Sequence, residues 1–246
     1  MYVLKIGGNE IDQPPFLSSL AEAVHKLAGS GVIVHGGGKE IAAALERHDL
    51  PFEFVDGMRA TSAAAMAVVE QVLSGAVNKR LVAQLNRVGV AAIGLSGVDL
   101  QLIQTQPLRP GGRDLGRVGE IVHVRADVLR TMIEQGWLPV ISPVSVDRTD
   151  GQPTNVNADH AALALAAAVH ADELIFVSNV PGVMFDDIIV PELKPIAIEA
   201  QIISGAITGG MVPKVRSAVE ALTVVPAVRI TNLAGLQAGT GTRIVR

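Results

Sequence analysis

The chain has 246 residues, of which 49% are hydrophobic and 18% are charged, and its formal net charge is −4. This composition excludes a largely disordered chain, and the negative charge gives no general attraction to nucleic acid or anionic membranes. The absence of cysteine excludes disulfides, zinc-thiolate sites and a cysteine nucleophile. We expect a cytoplasmic α/β protein, because no apolar run is long enough to span a bilayer and no signal-peptide pattern opens the chain.

Strand and helix patterns alternate through the first hundred residues. Short apolar runs that end in glycine predict strands at 2–8, 31–38 and 90–97. Helical spacing and capping residues predict helices from Pro14 to Gly29, over 40–48, after Thr61 or Ser62, and over roughly 75–88. This alternation is typical of βα units in a parallel sheet.

The second half of the chain begins differently. Short β-like runs on either side of "RPGGRDLG" predict antiparallel hairpins between about 101 and 126. The alternation then resumes, with helices predicted at 127–136, 158–170 and 211–222 and strands at 138–144, 173–180, 227–231 and 242–245. We therefore expect a mainly parallel central sheet with helices on both faces, in two lobes, 1–170 and 171–246.

Glycines mark the ends of the predicted strands, at Gly7–Gly8, Gly36–Gly37–Gly38, Gly94 and Gly97. The carboxyl ends of parallel strands share one edge, where ligands bind, and glycine lets backbone N–H groups approach an anion. Neither the GxxxxGK[ST] loop nor a GxGxxG fingerprint is present. A phosphate site in this chain must therefore be of another design.

Two lysines stand beside glycine pairs. Lys5 lies inside an apolar strand just before Gly7, and a lysine buried there needs an anionic partner. Lys214 follows a Gly-Gly turn near a predicted helix start, where an ordinary surface lysine is an equal alternative.

Other polar candidates lie in "DGMRAT" and "PTNVNADHAA". Arg59 offers a two-pronged donor for a carboxylate. Asn155, Asn157 and Asp159 leave a strand and could orient a polar substrate, although Asp159 also suits the first turn of a helix because of the helix dipole.

The remaining polar residues give no further catalytic pattern. The six histidines show no metal-site spacing, so we predict no metal ligands among them, and His35 fits a satisfied core histidine. No Ser/His/Asp arrangement is evident, and Trp137 is expected in the core. With few aromatic residues and no basic cluster, a nucleic-acid partner is not expected.

The ordered series "KIGG", "VIVHGGGKE", "GMRAT", "VNKRLV", "IGLSGVD", "LGRVGEI", "NVNAD", "NVPGV", "TGGMVPKV" and "GTGTRI" resembles the N-acetylglutamate kinases of the amino acid kinase family. The resemblance runs from residue 2 to the last residues. It implies a three-layer αβα sandwich whose N-terminal lobe binds the acyl amino acid and forms the dimer, and whose C-terminal lobe binds ATP. The reaction would use ATP and Mg²⁺ to phosphorylate the side-chain carboxylate of N-acetyl-L-glutamate, in arginine biosynthesis.

The resemblance also implies roles for residues that match its motifs. Lys5 and Lys214 would neutralise charge on the transferring phosphoryl group, and Asp159 would hold both lysines. Backbone N–H groups near the phosphoryl group and the reacting carboxylate would come from Gly8, Gly37 and Gly38.

Binding residues are implied in the same way. Arg59 would grip the α-carboxylate of the substrate, and Asn155 and Asn157 would shape its pocket. The residues that would border ATP are Gly8, Ser178, Asn179, Val180, Pro181, Gly182, Thr208, Gly209, Gly210 and Met211.

Two departures from the pattern leave other functions open. Many acetylglutamate kinases carry Asp in place of Asn179, and a Gly is common in place of Leu100. "SNVPG" also occurs in related kinases that act on aminoadipate or glutamate attached to an amino-group carrier protein, which is the main alternative. A non-catalytic sensor of an amino acid or nucleotide is the third.

The oligomeric state is also an expectation from the resemblance. The chain begins directly at its first strand, whereas arginine-inhibited relatives carry an additional N-terminal helix that links dimers into a ring. We therefore expect a homodimer with weak or no feedback by arginine.

Overall fold

The fold is that of a computed structural model, which describes residues 1–7, 11–27, 29–185 and 188–246. The strands are β1 Tyr2–Ile6, β2 Gly31–His35, β3 Phe54–Val55, β4 Met58–Arg59, β5 Ala92–Ser96, β6 Ile103–Pro107, β7 Gly119–Val124, β8 Leu138–Ser142, β9 Val144–Asp147, β10 Pro153–Asn155, β11 Glu173–Val177, β12 Met184–Phe185, β13 Ile188–Ile189, β14 Glu192–Leu193, β15 Ala227–Thr231 and β16 Thr242–Val245.

The helices are α1 Pro14–Lys26, α2 Gly38–Arg47, α3 Ala63–Glu70, α4 Asn78–Arg87, α5 Ala126–Glu134, α6 Ala158–Val169, α7 Pro195–Ile203, α8 Met211–Ala221 and α9 Leu233–Ala238. A π-helical segment, Gln71–Val77, joins α3 to α4 without a break. In the described part of the chain, no helix has the length and apolar character needed to cross a membrane.

A central sheet runs through the described residues in the order β14-β16-β15-β11-β1-β2-β8-β5. All its pairings are parallel except that of β15 with β16. The predicted mainly parallel sheet is therefore confirmed. The hairpin predicted between 101 and 126 is also present, as β6 paired antiparallel with β7 in a separate four-stranded sheet with β9 and β10.

Helices cover both faces of the central sheet. Successive side chains of a strand point to opposite faces, so Val3 packs in one buried cluster with α6 residues such as Leu165, whereas Leu4 packs in another with α1 residues such as Leu20. This arrangement confirms the three-layer αβα sandwich. The predicted lobe boundary falls between α6 and β11, and the assignment of the two lobes stays a prediction.

The register of β1 and β2 brings two glycine loops together. Ile6 lies opposite His35, and the N–H of Gly36 donates to the carbonyl oxygen of Ile6 at 3.0 Å. The N–H of Gly7 donates to Val177 O at 3.2 Å on the other side. The residues that directly follow β1, β2 and β11, namely Gly7, Gly36 and Ser178, therefore lie side by side at the carboxyl edge of the sheet.

Two other glycines of the predicted ligand edge have a packing role instead. A Cβ on Gly94, inside β5, would overlap Oδ1 of Asn78, and one on Gly97 would lie 2.8 Å from Cβ of Ile103.

The prediction that Trp137 lies in the core is wrong, because its side chain is 47% exposed.

Candidate active site

A crevice of about 400 Å³ opens at the carboxyl edge of the central sheet. It combines polar side chains from β1, from the start of α6, from the loop after β11 and from α8. The polar and glycine residues that line it are Lys5, Gly7, Asp159, Ser178, Asn179, Gly210, Lys214 and Ser217. The three residues to which the resemblance assigned catalytic roles, Lys5, Asp159 and Lys214, thus line one cavity.

Lys5 has the anionic partner that its place in a buried strand requires. Its side chain is 18% exposed, and its Nζ lies 2.9 Å from Oδ1 of Asp159. Asp159 is fixed in the first turn of α6, because its own N–H donates to Oδ1 of Asn157 at 2.7 Å. The carboxylate therefore lies at the N-terminus of a helix, the end at which the helix dipole attracts a negative charge.

Lys214 approaches the same cavity from α8. Its Nζ donates to Oδ1 of Asn179 at 3.2 Å. The expectation that Asp159 holds both lysines is therefore wrong for Lys214, since an amide in the loop after β11 is its partner. Burial, and secondly the charge of Lys5, hold the pKa of Lys214 below its usual range.

The charge of the crevice favours an anion. Within the described part of its wall, two ammonium groups, Lys5 and Lys214, face one carboxylate, Asp159. An anionic ligand would relieve the repulsion between the lysines, which are near enough for the charge of one to lower the pKa of the other.

Backbone donors stand beside this crevice. Helix α2 begins at Gly38, and its N-cap residue is Gly37, so no side chain caps the helix. The first N–H groups of a helix have no partners inside the helix, and they attract anions. Gly8, the third glycine expected to supply an N–H, lies outside the described residues.

A second, smaller cavity of about 150 Å³ adjoins the first. It gathers every residue that the resemblance assigned to the acyl amino acid, namely Gly37, Gly38, Arg59, Asn155 and Asn157. The two walls are contiguous through the start of α6, because Asn157 lines the smaller cavity and Asp159 lines the larger one.

Arg59 is the buried cation of the smaller cavity. It is 8% exposed, and burial lowers the pKa of its guanidinium. The guanidinium carbon lies 4.1 Å from the ring centre of Phe52 and 4.6 Å from that of Phe54. Nη2 donates to Gly38 O at 3.1 Å, whereas Nη1 is buried without a partner among the described residues. Arg59 thus keeps a donor for a ligand.

The two asparagines are engaged within the protein. Nδ2 of Asn155 donates to Oγ1 of Thr61 at 3.1 Å, and Thr61 donates in turn to Arg59 O at 2.6 Å. Oδ1 of Asn157 caps α6. Asn155 therefore supports the backbone of Arg59 through Thr61, Asn157 supports the start of α6, and their role toward a substrate stays a prediction. Sequence reasoning considered Thr61 only as a helix cap, a position that Ser62 occupies, and it missed the two aromatic neighbours of Arg59, although "PFEF" shortly before "GMRAT" was a signal for them.

The residues implied for ATP divide into two groups. Ser178, Asn179 and Gly210 line the larger crevice. Apart from Gly8, which is outside the described residues, the others lie in or directly after the same two turns but outside its lining, namely Val180, Pro181, Gly182, Thr208, Gly209 and Met211. Gly182 is a packing position, because a Cβ there would lie 2.7 Å from Oγ1 of Thr242. Contact of these turns with a nucleotide stays a prediction.

Two lysines and uncapped helix N–H groups, at the edge of a parallel sheet, define an α/β protein built to hold an anionic group such as phosphate. The sequence model of the amino acid kinase family matches residues 1–232. The chain belongs to the amino acid kinase family.

Curated proteins similar to this chain include acetylglutamate kinases. The acetylglutamate kinase of Chloroflexus aggregans is 52% identical over 244 residues, which cover 99% of this chain and 96% of that protein. The acetylglutamate kinase of Geobacillus kaustophilus is 46% identical over 233 residues, covering 94% and 89%.

Solved structures agree on the fold. The protein smu.665 from Streptococcus mutans UA159 has a TM-score of 0.80 at 30% identity, covering 99% of this chain and 98% of that one. An N-acetylglutamate synthase from Neisseria gonorrhoeae, complexed with coenzyme A and N-acetyl-glutamate, has a TM-score of 0.83 at 22% identity. The similarity covers 100% of this chain and 59% of that one, and it concerns the fold alone.

Proposed function

We propose that the protein acts as an acetylglutamate kinase, which phosphorylates the side-chain carboxylate of N-acetyl-L-glutamate in arginine biosynthesis. The observation that carries this function is the pair of adjoining cavities, one with two lysines and the other with the buried Arg59. The names of the curated relatives identify the substrate class.

The chemistry suits the residues present. The substrate carboxylate is already an anion at neutral pH, so its oxygen attacks the γ-phosphorus without a general base. The bond from that phosphorus to the bridging oxygen breaks, and ADP leaves with the electron pair. Such a transfer depends on positioning and on stabilisation of negative charge, which Lys5, Lys214 and the N–H groups of Gly37 and Gly38 supply.

Arg59 positions the acceptor in this mechanism. Its Nη1, which has no partner among the described residues, donates to the α-carboxylate of N-acetylglutamate, while Nη2 stays on Gly38 O. Because α2 begins at Gly38, the same contact ties the bound substrate to the helix whose N–H groups face the reaction.

ATP enters with Mg²⁺ in this proposal. Mg²⁺ binds through one or two carboxylates, substrate phosphates and waters, and Asp159, the carboxylate in the described wall, fits that donor set. The ion neutralises phosphate charge when bound. The described residues contain no cluster of three or more His, Asp or Glu that could hold a metal without the nucleotide.

The nucleotide itself is placed by the proposal against 178–182 and 208–211. Ser178, Asn179 and Gly210 support this, because they line the larger crevice and not the cavity that contains Arg59. A homodimer in the cytoplasm, where ATP is available, completes the proposal. Sedimentation as a monomer at micromolar concentration would contradict the dimer.

An ADP-release assay tests the function. Purified protein is given MgATP with N-acetyl-L-glutamate, glutamate, aminoadipate or a glutamate linked to its carrier protein. Turnover with free N-acetylglutamate is expected. Turnover restricted to the carrier-linked substrate would replace the proposal by the carrier-dependent kinase, and no turnover with any acceptor would leave only a binding protein.

A further inference from the structure

A buried histidine directly precedes the three glycines. His35 is the last residue of β2 and is 0% exposed. Its Nδ1 lies 3.0 Å from Gly36 O, and its Nε2 lies 3.1 Å from Nδ2 of Asn78, which is also fully buried. The reaction proposed above gives neither side chain a role.

The surroundings of Asn78 decide where the imidazole proton sits. Nδ2 of Asn78 donates to Val140 O at 2.9 Å, and its Oδ1 accepts from Nζ of Lys79 at 3.2 Å. This fixes the amide orientation, so the second hydrogen of Nδ2 faces Nε2 of His35, which must therefore accept. The single proton of the neutral ring then lies on Nδ1, which donates to Gly36 O. Burial lowers the pKa of His35 to about 4, so the ring is neutral at pH 7.

This hydrogen bond orients the peptide whose N–H group is proposed to donate a hydrogen bond to the transferring phosphoryl group. The carbonyl of Gly36 and the N–H of Gly37 belong to one planar trans peptide and point in opposite directions. Holding the carbonyl on His35 therefore directs the N–H of Gly37 away from the ring. The N–H of Gly36, bound to Ile6 O at 3.0 Å, fixes the preceding peptide.

The glycine sequence makes such an anchor necessary. Glycine restricts its backbone torsions less than any other residue, and three in succession leave this loop without steric guidance of its own. A Cβ at position 37 would lie 2.6 Å from Cδ2 of Leu73, so a bulkier residue there would have to displace that side chain. Orientation has to come from outside the loop.

We propose that His35, oriented by Asn78, is a positioning residue that fixes the 36–37 peptide so that the N–H of Gly37 is ready for the transferring phosphoryl group. This inference rests on the proposed function for its kinetic consequence, whereas the hydrogen bond itself can be tested without it.

Two variants separate the two hydrogen bonds of the ring. The amide nitrogen in His35→Asn takes the place of Nδ1 and retains the donor to Gly36 O, but it gives up the contact with Asn78. The longer amide in His35→Gln takes the place of Nε2 and retains Asn78, but it releases Gly36 O. Each variant loses one buried hydrogen bond, so a merely structural role would affect both alike.

We expect the two variants to differ in kcat. His35→Gln should lower kcat with MgATP and N-acetylglutamate by about 100-fold, as a misplaced reacting group does, with a much smaller change in KM. His35→Asn should stay close to the wild-type kcat, although both variants lose thermal stability. Equal kcat values for the two variants, beside an active wild type, would overturn the inference; an inactive wild type would contradict the proposed function instead.

A measurement on the unaltered protein tests the hydrogen bond even if the wild type is inactive or the variants fail to fold. Two-bond ¹⁵N–¹H spectra of the histidine rings at pH 7, with His35 identified by its loss in a variant or by its failure to titrate above pH 5, report the tautomer. A proton on Nδ1 alone is expected and supports the peptide anchor. A proton on Nε2, or on both nitrogens, would overturn it.

Discussion

The ammonium group of Lys214 reaches Oδ1 of Asn179, at 3.2 Å, and not the carboxylate that holds Lys5. The two lysines of the crevice are thus supported separately, one by a neutral amide and the other by Asp159. A lysine on an amide keeps its full charge for a ligand, because the partner neutralises none of it.

Removal of Lys214 should affect the chemical step. In Lys214→Ala the larger crevice loses one of its two ammonium groups, and we expect kcat to fall by about 100-fold or more, the usual effect of deleting one electrostatic stabiliser. The KM for N-acetylglutamate should change much less, because the proposal assigns the binding of that substrate to Arg59. Lys194→Ala, at an exposed site outside the crevice, is the control. An unchanged kcat would remove Lys214 from the mechanism.

The partner of Lys214 should set the alkaline limit of the reaction. Burial lowers the pKa of Lys214, so kcat should decline at a lower pH than that of an unperturbed lysine. Asn179→Asp places a negative charge beside the ammonium group, which favours the charged form. The alkaline limb of the kcat profile should therefore move upward by about one pH unit.

The control for this shift is Gln135→Glu, which changes the net charge equally at an exposed position directly after α5. It should leave the profile in place. A downward shift in Asn179→Asp, or the same shift in both variants, would show that Asn179 does not govern the charge of Lys214.

Arg59 should govern affinity for the acceptor. Arg59→Lys keeps the positive charge but loses the planar donor pair and its stacking between Phe52 and Phe54. We expect the KM for N-acetylglutamate to rise by about 10- to 100-fold, the cost of a hydrogen bond to a charged group, with a smaller change in kcat. Arg47→Lys, on the exposed end of α2, should behave as wild type. An unchanged KM would contradict the assignment of Arg59 to the substrate carboxylate.

His35 should make the protein less stable in mild acid. Burial holds its pKa near 4, against 6.5 for the unperturbed ring. Between these values the unfolded chain binds a proton that the folded protein does not, so the free energy of unfolding falls as the pH falls. The expected loss is about 2–3 kcal/mol between pH 7 and pH 4.5.

Urea unfolding at both pH values measures this effect, and His35→Asn, which does not titrate, provides the comparison. The variant should lose less stability on acidification by about the stated amount. Asp127 and Asp150, whose pKa values are lowered by arginine partners, respond to acid in both proteins and cancel in the difference. Identical acid sensitivity would show that His35 is not buried in its neutral form.

The sequence predicted the centre of the fold better than its periphery. β1 and β2 were evident because continuous apolar runs are required of strands buried on both faces. α7 was missed because Ile196 and Ile203 are 82% and 84% exposed, so its apolar residues do not mark a buried face. α9 is only six residues long, too short for a periodic pattern.

The site could be predicted from the sequence where a buried charged group requires a partner of opposite charge. Lys5 inside an apolar strand required an anion, and Asp159 proved to be that partner. The partner of Lys214 could not be predicted in this way, because a long side chain beside several polar groups selects one by three-dimensional distance. The same is true of the aromatic contacts of Arg59, which depend on the fold of the β3–β4 hairpin.

The π-helical segment 71–77 sets the rotational phase of the helix that follows it. A π-turn accommodates an additional residue, and each residue advances an α-helix by about 100°. Deleting one residue from this segment would restore ordinary winding and rotate Asn78 away from His35. A one-residue length change in a helix that lies behind the glycine loop could thus impair the enzyme, and its homologues can be expected to tolerate insertions or deletions there less readily than at the surface loops.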